Sequence, residues 1–200
     1  MDCKTFENLP DEKKQAILSA GISLFGQHGY EKASIFDIAK ASGISKPAVF
    51  YYFGTKENLF LYLVRYTNDS IKGIFQEGVE DFFETTASFF YAQLKLIKIY
   101  PGMFDFMNMV NEMAKTNEFE VFEKYFEESR ALNESIVFNR VDWGKFRDEY
   151  DRTTIMNLVT WVIVSCLKQY KDEMPIDDIF TEIKRYLQIL KTTLYKTEYL

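Results

Sequence analysis

Apolar residues recur at helical spacing along most of the chain, and short polar or glycine-containing breaks separate the segments. A first helix is predicted over about 10–28, with one apolar stripe formed by Ile17, Ala20, Gly21, Leu24 and Phe25. Gly29 follows as a helix-ending residue, because glycine readily adopts a positive φ. Repeated over the whole chain, the pattern predicts an all-α protein of about nine helices.

Two short helices with capping residues come next. Ser34 is the predicted N-cap of the first, and the turn Ser42-Gly43-Ile44 separates the two. Ser45 caps the second helix, Lys46–Phe53, and Pro47 in its first turn costs no hydrogen bond. Two short helices joined by a tight turn form a helix-turn-helix unit, whose second helix contacts DNA bases. Capped short helices also occur in other bundles, so the spacing alone leaves both interpretations open.

Longer amphipathic helices are predicted for the remainder. One begins after Thr55 and runs to about residue 78, and others cover about 80–99, 102–115 and 117–139. Two further apolar stripes, over about 155–170 and 176–194, lie on either side of the break Asp172–Pro175. This division predicts a helix-turn-helix domain over 1–60 and a helical domain over 61–200.

Charge is distributed unevenly between these two parts. The net charge is −6, which argues against nucleic-acid binding by the protein as a whole. Residues 1–60 nevertheless carry seven basic and seven acidic side chains, and residues 32–56 carry four lysines against one aspartate. A basic patch therefore coincides with the two short helices, and the acidic excess lies in 61–200.

The composition argues against several other classes. The sequence contains only two cysteines and one histidine, namely Cys3, Cys166 and His28. These few residues argue against a zinc site and against a histidine-based catalytic triad. We therefore expect no cofactor, no metal and no enzyme activity. The sequence shows no secretion signal and no apolar stretch long enough to span a membrane, so we expect a cytoplasmic protein that does not bind membranes.

One ordered motif resembles a known family. It reads Phe25-x3-Gly29-Tyr30-x3-Ser34-x2-Asp37-Ile38-Ala39-x3-Gly43-Ile44-Ser45-Lys46-x3-Phe50-x-Tyr52-Phe53-x2-Lys56-Glu57-x-Leu59. This stretch is similar to the N-terminal domain of the TetR family of bacterial transcription regulators. The resemblance implies a three-helix DNA-binding domain joined to a helical ligand-binding and dimerisation domain.

The resemblance also implies which residues contact DNA. They are Ser34, Ser45, Lys46, Pro47, Ala48, Phe50, Tyr51, Tyr52 and Lys56. Lys46 suits a guanine edge or a phosphate, and Pro47 and Ala48 suit a thymine methyl group. Val49 and Phe53 are assigned to the core, and Tyr52 fits either role. Some relatives carry a basic residue at the position of Phe36, and the family usually has a tyrosine at the position of Phe50. Phenylalanine cannot make the polar contacts with DNA that those side chains make.

Aromatic and methionine side chains concentrate between residues 82 and 126. They either pack the core or line an apolar cavity. Because family members commonly bind a small molecule in this domain, the resemblance favours a hydrophobic or aromatic effector. The candidate ligand-binding residues are Phe90, Met103, Phe106, Met107, Val110, Phe122, Phe126 and Trp161.

The last two helices complete the predicted organisation. In the family such helices pair about a twofold axis, which predicts a homodimer on a palindromic operator in double-stranded DNA. The candidate interface residues are Leu158, Val162, Cys166, Ile183, Leu187 and Leu190. We expect the protein to be a repressor that leaves its operator when the effector binds. A DNA-binding protein of the same fold without a ligand, and a helical protein-interaction module, remain as alternatives.

Overall fold

The computed structural model describes residues 4–74, 81–116, 122, 126, 127, 141–169 and 175–200. Within these ranges it contains nine α-helices, two short 3-10 turns and one isolated β-bridge, which confirms the predicted all-α class. The helices are α1 (Lys4–Glu7), α2 (Asp11–Lys32), α3 (Ile35–Ala41), α4 (Lys46–Phe53), α5 (Lys56–Ile74), α6 (Phe82–Ile99), α7 (Met103–Thr116), α8 (Arg152–Gln169) and α9 (Ile176–Leu194). Most of the predicted helix over 117–139, and also Cys3, Tyr170 and most of the break at 172–175, lie outside the described residues.

The described residues form two compact units, each built from two stretches of the chain. Unit 1 lies within Met1–Lys72 and Ile99–Ala131, and unit 2 lies within Gly73–Lys98 and Leu132–Leu200. Unit 1 therefore contains α7 as well as the helix-turn-helix, because α7 packs against α2. These units describe packing, and the assignment of separate roles to 1–60 and 61–200 stays a prediction.

The chain breaks at Gly29, as predicted. Gly29 has φ 75° and ψ 165°, a non-helical conformation that L side chains rarely adopt. The first helix therefore kinks at Gly29, and one further short turn follows to Lys32. The amide of Ala33 closes that turn by donating to the Gly29 carbonyl oxygen at 3.1 Å.

Helix α1 has no counterpart in the sequence prediction. It spans only Lys4–Glu7, which is too short for an apolar period to be recognised. The ring of Phe6 is nevertheless fully buried, with ring centroids 4.9 Å from Phe53 and 5.1 Å from Tyr62. Tyr62 also donates a hydrogen bond to Glu7. The residues before α2 therefore complete the core beneath the helix-turn-helix.

Helices α2 and α7 approach each other backbone to backbone. A Cβ atom on Gly26 would lie 2.8 Å from both the Gly102 carbonyl oxygen and the Phe106 amide nitrogen. A Cβ atom on Gly102 would lie 2.8 Å from the Cα atom of Ser23. Gly102 also has φ 83°, so the turn that starts α7 favours glycine for a second reason. Two glycines thus permit a contact that no larger residue would allow.

A chain of aromatic rings fills the space beside this contact. Phe60 lies at its centre, with ring centroids 5.3 Å from Phe25, 5.9 Å from Phe106 and 5.2 Å from Phe122. Tyr30 joins the same cluster at 5.0 Å from both Phe60 and Phe122. Such edge and tilted pairs each contribute about 0.5–1.5 kcal/mol beyond simple burial. The core of unit 1 is therefore continuous from α2 and α5 to α7.

Unit 2 is built from α6, α8 and α9. Helix α6 is buried on most sides along its first half, where the buried residues are Phe82, Phe83, Thr85, Thr86, Ala87 and Phe89. Helices α8 and α9 pack against each other. Their buried stripes are Ile155, Val159, Ile163 and Cys166 on α8, and Ile179, Ile183, Leu187 and Leu194 on α9.

A short antiparallel bridge between Phe146 and Tyr195 closes unit 2. The amide of Arg147 donates to the Leu194 carbonyl oxygen at 2.9 Å. The Phe146 and Tyr195 rings meet edge to face with their centroids 4.7 Å apart. The segment after the 3-10 turn Trp143–Lys145 is thereby fixed to the end of α9.

The carboxylate of Asp81 strengthens the same closure. It accepts hydrogen bonds from the Tyr195 hydroxyl at 3.2 Å and pairs with the Lys191 ammonium at 3.1 Å. Burial alone would raise the pKa of Asp81, but the hydrogen bonds from Lys191 and from the Glu84 amide outweigh burial and hold the pKa below its ordinary value. Asp81 is therefore charged at neutral pH and links the start of α6 to the end of α9.

None of the described helices is both long enough and apolar enough to cross a membrane.

The glycine contact gives a stability prediction. Gly26→Ala is expected to destabilise the protein by about 1–3 kcal/mol, because the new methyl group meets backbone atoms that cannot rotate away. Gly73→Ala is the matched control: it lies on α5 with no atom within 4 Å of the added Cβ. That change should be neutral or stabilise by up to about 1 kcal/mol, through helix propensity. Denaturant unfolding of both variants tests the pair, and equal stability of Gly26→Ala and the wild type would contradict the close contact.

Candidate nucleic-acid interface

The two short helices are held by local hydrogen bonds that their sequence specifies. The Ser34 hydroxyl accepts from the Phe36 amide at 3.2 Å, and the Ser45 hydroxyl accepts from the Ala48 amide at 3.3 Å. Both serines therefore act as N-caps, as predicted. Each hydroxyl satisfies a backbone amide that the first turn of its helix leaves without a partner.

The turn between α3 and α4 is equally well defined. The Ser42 hydroxyl is buried and donates to the Ile38 carbonyl oxygen at 2.7 Å. Gly43 has φ 71°, and the Ile44 amide donates back to the Ala39 carbonyl oxygen at 3.0 Å. These bonds satisfy the end of α3 and redirect the chain into α4.

The buried and exposed faces of α4 are clearly separated. Val49 and Phe53 are 1% and 2% exposed, which confirms their assignment to the core. The opposite face carries Lys46, Pro47, Phe50 and Tyr51, all exposed, while Ala48 is partly exposed. Five of the residues predicted to contact DNA thus share the accessible part of one helix.

Tyr52 lies between these two faces. It is half-buried, and its ring lies 6.3 Å from Phe6 and 5.4 Å from Tyr51 between centroids. The ring therefore contributes to packing beside α1. A contact between its hydroxyl and DNA stays a prediction.

Lys56 has a structural role in addition to the predicted phosphate contact. Its ammonium group donates to the Glu31 carbonyl oxygen at 2.9 Å and lies 4.8 Å from the centre of the Tyr30 ring. Burial lowers the pKa of Lys56, and the nearby Glu31 carboxylate opposes that shift. The side chain therefore ties the start of α5 to the end of α2, beside the recognition helix.

The predicted effector residues are distributed over both units. Phe106, Phe122 and Phe126 belong to unit 1 and are at most 4% exposed, and Met103 beside them is fully buried. Phe122 and Phe126 extend the aromatic chain, with their centroids 5.9 Å apart. This burial favours core packing for the four residues. Met107 and Val110 on α7 are half-buried, as is Phe90 in unit 2.

Trp161 is the predicted effector residue that fits an enclosed site least well. It lies on α8 in unit 2, and 67% of its surface is exposed. This exposure suits a surface role better than an enclosed site, and the assignment of Trp161 to an effector site stays a prediction.

The predicted interface residues also divide into two sets. Cys166, Ile183 and Leu187 are at most 5% exposed and pack in the core of unit 2, so their side chains offer almost no surface to a second subunit. Burial also raises the pKa of the Cys166 thiol, which makes it less reactive. The other three, Leu158, Val162 and Leu190, are partly exposed. Ile189 on α9 is 55% exposed and was not among the predicted residues.

The arrangement of α2, α3 and α4 defines a helix-turn-helix protein: two short capped helices, a glycine turn and an exposed second helix with a basic start. Residues 17–63 match the model of the family described as bacterial regulatory proteins, tetR family. Over those residues the chain is similar in sequence to the TetR family.

Curated relatives are similar over the same region. The chain is 45% identical over 56 residues to the transcriptional repressor AcnR of Corynebacterium glutamicum, which is 28% of this chain and 30% of that protein. It is 37% identical over 84 residues to the transcriptional regulator RutR of Escherichia coli, which is 42% of this chain and 40% of that protein. The chain thus spans less than half the length of these relatives.

Solved structures share the fold over nearly the whole chain. The ketosteroid transcriptional regulator KstR2 of Mycobacterium tuberculosis superimposes with a TM-score of 0.67, at 17% identity, covering 94% of this chain and 97% of that one. AibR, solved with isovaleryl coenzyme A and operator DNA, gives a TM-score of 0.62 at 15% identity, covering 86% of this chain and 96% of that one. At these identities the likeness concerns the fold alone.

Lys46 and Lys56 are predicted to differ in their effect on stability, and this difference can be tested. Lys46→Ala should weaken binding to DNA selected by the wild-type protein without changing stability, because Lys46 is exposed. Lys56→Ala should lower the slope of log affinity against log salt concentration by about one, through loss of one phosphate contact. It should also lower stability by about 1 kcal/mol, through loss of the bond to Glu31.

Lys72→Ala is the control for these two variants, since it removes an exposed lysine near the other end of α5. Gel-shift titrations at several salt concentrations and thermal unfolding provide the measurements. If Lys46→Ala and Lys56→Ala both bind DNA like the Lys72→Ala control, the interface is wrongly assigned.

Proposed function

We propose that this protein is a homodimeric transcription regulator that binds a palindromic operator through α3 and α4. The observation that carries the proposal is the exposed face of α4, which starts with Lys46 and is held rigidly by the Ser45 cap and the Gly43 turn. A rigid helix with an accessible, basic N-terminal turn suits insertion into the major groove. The relatives are named as transcriptional regulators and repressors, which supports repression as the mode of control.

The acidic remainder of the chain is compatible with this role. The seven basic and seven acidic residues of 1–60 balance, and four lysines lie in 32–56, so attraction to phosphates is local to the helix-turn-helix. No catalytic residue is assigned, and the proposed site of action is the cytoplasm, where a bacterial operator lies.

Self-association would place two recognition helices on one palindrome. The proposed interface uses the apolar side chains that α8 and α9 leave exposed or partly exposed, namely Leu158, Trp161, Val162, Ile189 and Leu190. Leu158, Trp161 and Val162 recur at the spacing of one helical face, which lies beside the buried stripe of α8. Exposed Trp and Ile side chains on adjacent helices are typical of a surface that another subunit covers.

Trp161→Ala is expected to weaken self-association by about 30-fold or more, because a central tryptophan commonly contributes about 2 kcal/mol or more to an interface. Ile99→Ala is the control, since Ile99 is similarly exposed but lies outside α8 and α9. Sedimentation equilibrium over a concentration series measures the dissociation constants. A monomeric wild-type protein, or a dimer equally tight in Trp161→Ala, would contradict the proposed interface.

A small hydrophobic effector is the second part of the proposal. The half-buried Phe90, Met107 and Val110 support it, as they combine apolar surface with partial access. One observation favours the alternative of a DNA-binding protein without an effector: Met103, Phe106, Phe122 and Phe126 are all buried. An effector acts only through different affinities for the DNA-bound and free states.

Operator affinity should therefore fall about 5- to 150-fold in the presence of a saturating effector. The first probe is isovaleryl coenzyme A, since AibR was solved with it, followed by a panel of hydrophobic acids. Thermal unfolding with each compound reports binding separately from DNA release. A compound that leaves operator affinity unchanged at saturation is not the effector, and a panel without any stabilising compound would favour the alternative.

A further inference from the structure

The DNA-facing domain displays large apolar rings that its own core does not use. Phe36 is 60% exposed on α3, and Phe50 and Tyr51 are 40% and 71% exposed on α4. The other large apolar residues of α3, Ile35 and Ile38, are buried. Most of the surface of Phe36 therefore lies outside the core, and leaving such a ring in water is unfavourable unless a partner covers it.

The backbone presents these rings in a fixed position. The amide of Phe36 is bonded to the Ser34 hydroxyl in the first turn of α3. Phe50 follows Lys46 by one helical turn, and the Lys46 ammonium lies 5.9 Å from the centre of the Phe50 ring. A capped helix loses little backbone freedom on binding, which suits recognition of a defined surface.

The charge around the rings identifies the kind of partner. Lys40 lies one turn after Phe36 on the exposed side of α3, and Asp37 is the one acidic residue in 32–56. Aromatic rings among lysines suit a polyanion that also offers apolar groups. Double-stranded DNA meets both conditions, because its phosphates flank a major groove that contains the 5-methyl groups of thymine.

The polar chemistry available for base recognition is limited. Residues 35–53 contain no arginine, asparagine or glutamine, the side chains that most often bond to guanine or adenine. Lys46 is the charged donor on the exposed face of α4. Apolar contact with thymine is the mode of base recognition that remains for Phe36 and Phe50.

We infer that Phe36 and Phe50 determine the operator sequence by packing against thymine methyl groups. Guanine is the base expected opposite Lys46, and thymines are expected at the flanking positions that the two rings cover. This inference rests on the proposed DNA-binding function and specifies the bases that it prefers.

The test removes the methyl groups without changing base pairing. Double-stranded DNA is first selected from a random pool by the wild-type protein, and its thymines are then replaced one at a time by uracil. Affinity should fall about fourfold for each contacted methyl group, from the ordinary free energy of burying one such group. Uracil outside the protected segment is the control and should change nothing.

Two variants assign the effect to the rings. Phe36→Ala and Phe50→Ala should each abolish the preference for thymine over uracil at one position of a half-site and leave it intact at the others. Tyr199→Ala is the matched control, because it removes an exposed aromatic ring outside the helix-turn-helix. Thermal unfolding should change only slightly in all three, since each of these residues keeps 40% or more of its surface exposed.

The possible results distinguish a failure of this inference from a failure of the proposed DNA-binding function. If the wild-type protein selects no sequence from the pool, sequence-specific DNA binding fails, and the inference fails with it. If the protein selects a sequence but binds uracil as tightly as thymine at every position, only the inference is overturned. If neither Phe36→Ala nor Phe50→Ala loses the preference for thymine over uracil at any position, the assignment to these rings is equally overturned.

Discussion

The close approach of α2 and α7 at Gly26 and Gly102 is the constraint on which unit 1 depends. Because backbone atoms of the two helices are in contact, α7 can pack on α2 at only one interhelical distance. That distance sets where Phe106 contacts Phe60, and through Phe60 it sets the positions of Phe25 and Tyr30. The helix-turn-helix therefore shares its core with a helix that follows it in sequence by more than 40 residues. A displacement of α7 would have to be accommodated by the rings of Phe25, Tyr30 and Phe60, which join α2 to α5.

The proposed interface combines two kinds of chemistry that act at different ranges. Lysines on a locally basic segment would attract the phosphate backbone at a distance, whereas exposed rings would act only in contact. Lys56 stabilises the fold as well as belonging to the proposed interface, since its ammonium group donates to the Glu31 carbonyl oxygen and lies over the Tyr30 ring. Tyr30 in turn contacts Phe122. The end of α2 is thus the point where the core of unit 1 and the edge of the interface meet.

Local features of the chain could be predicted from sequence, and features set by distant residues could not. The caps at Ser34 and Ser45 and the division of α4 into buried and exposed faces depend on neighbouring residues, and all were predicted. The burial of Phe6 could not be foreseen, because four helical residues carry no period. Leu158 and Ile183 show the same limit, since both lie on apolar stripes and only packing separates the partly exposed side chain from the buried one. The partial turn after Gly29 likewise depends on a bond to Ala33 that no spacing reveals.

The bridge between Phe146 and Tyr195 has a consequence for how the protein is made. Tyr195 is synthesised 114 residues after Asp81, yet its hydroxyl completes the hydrogen bonds of that carboxylate at the start of α6. During translation α6 therefore emerges from the ribosome long before its partners in α9 exist. Its apolar first half must remain uncovered, or be sheltered by a chaperone, until that late segment arrives. The two units interleave along the chain, so neither can mature as a simple N-terminal or C-terminal fragment.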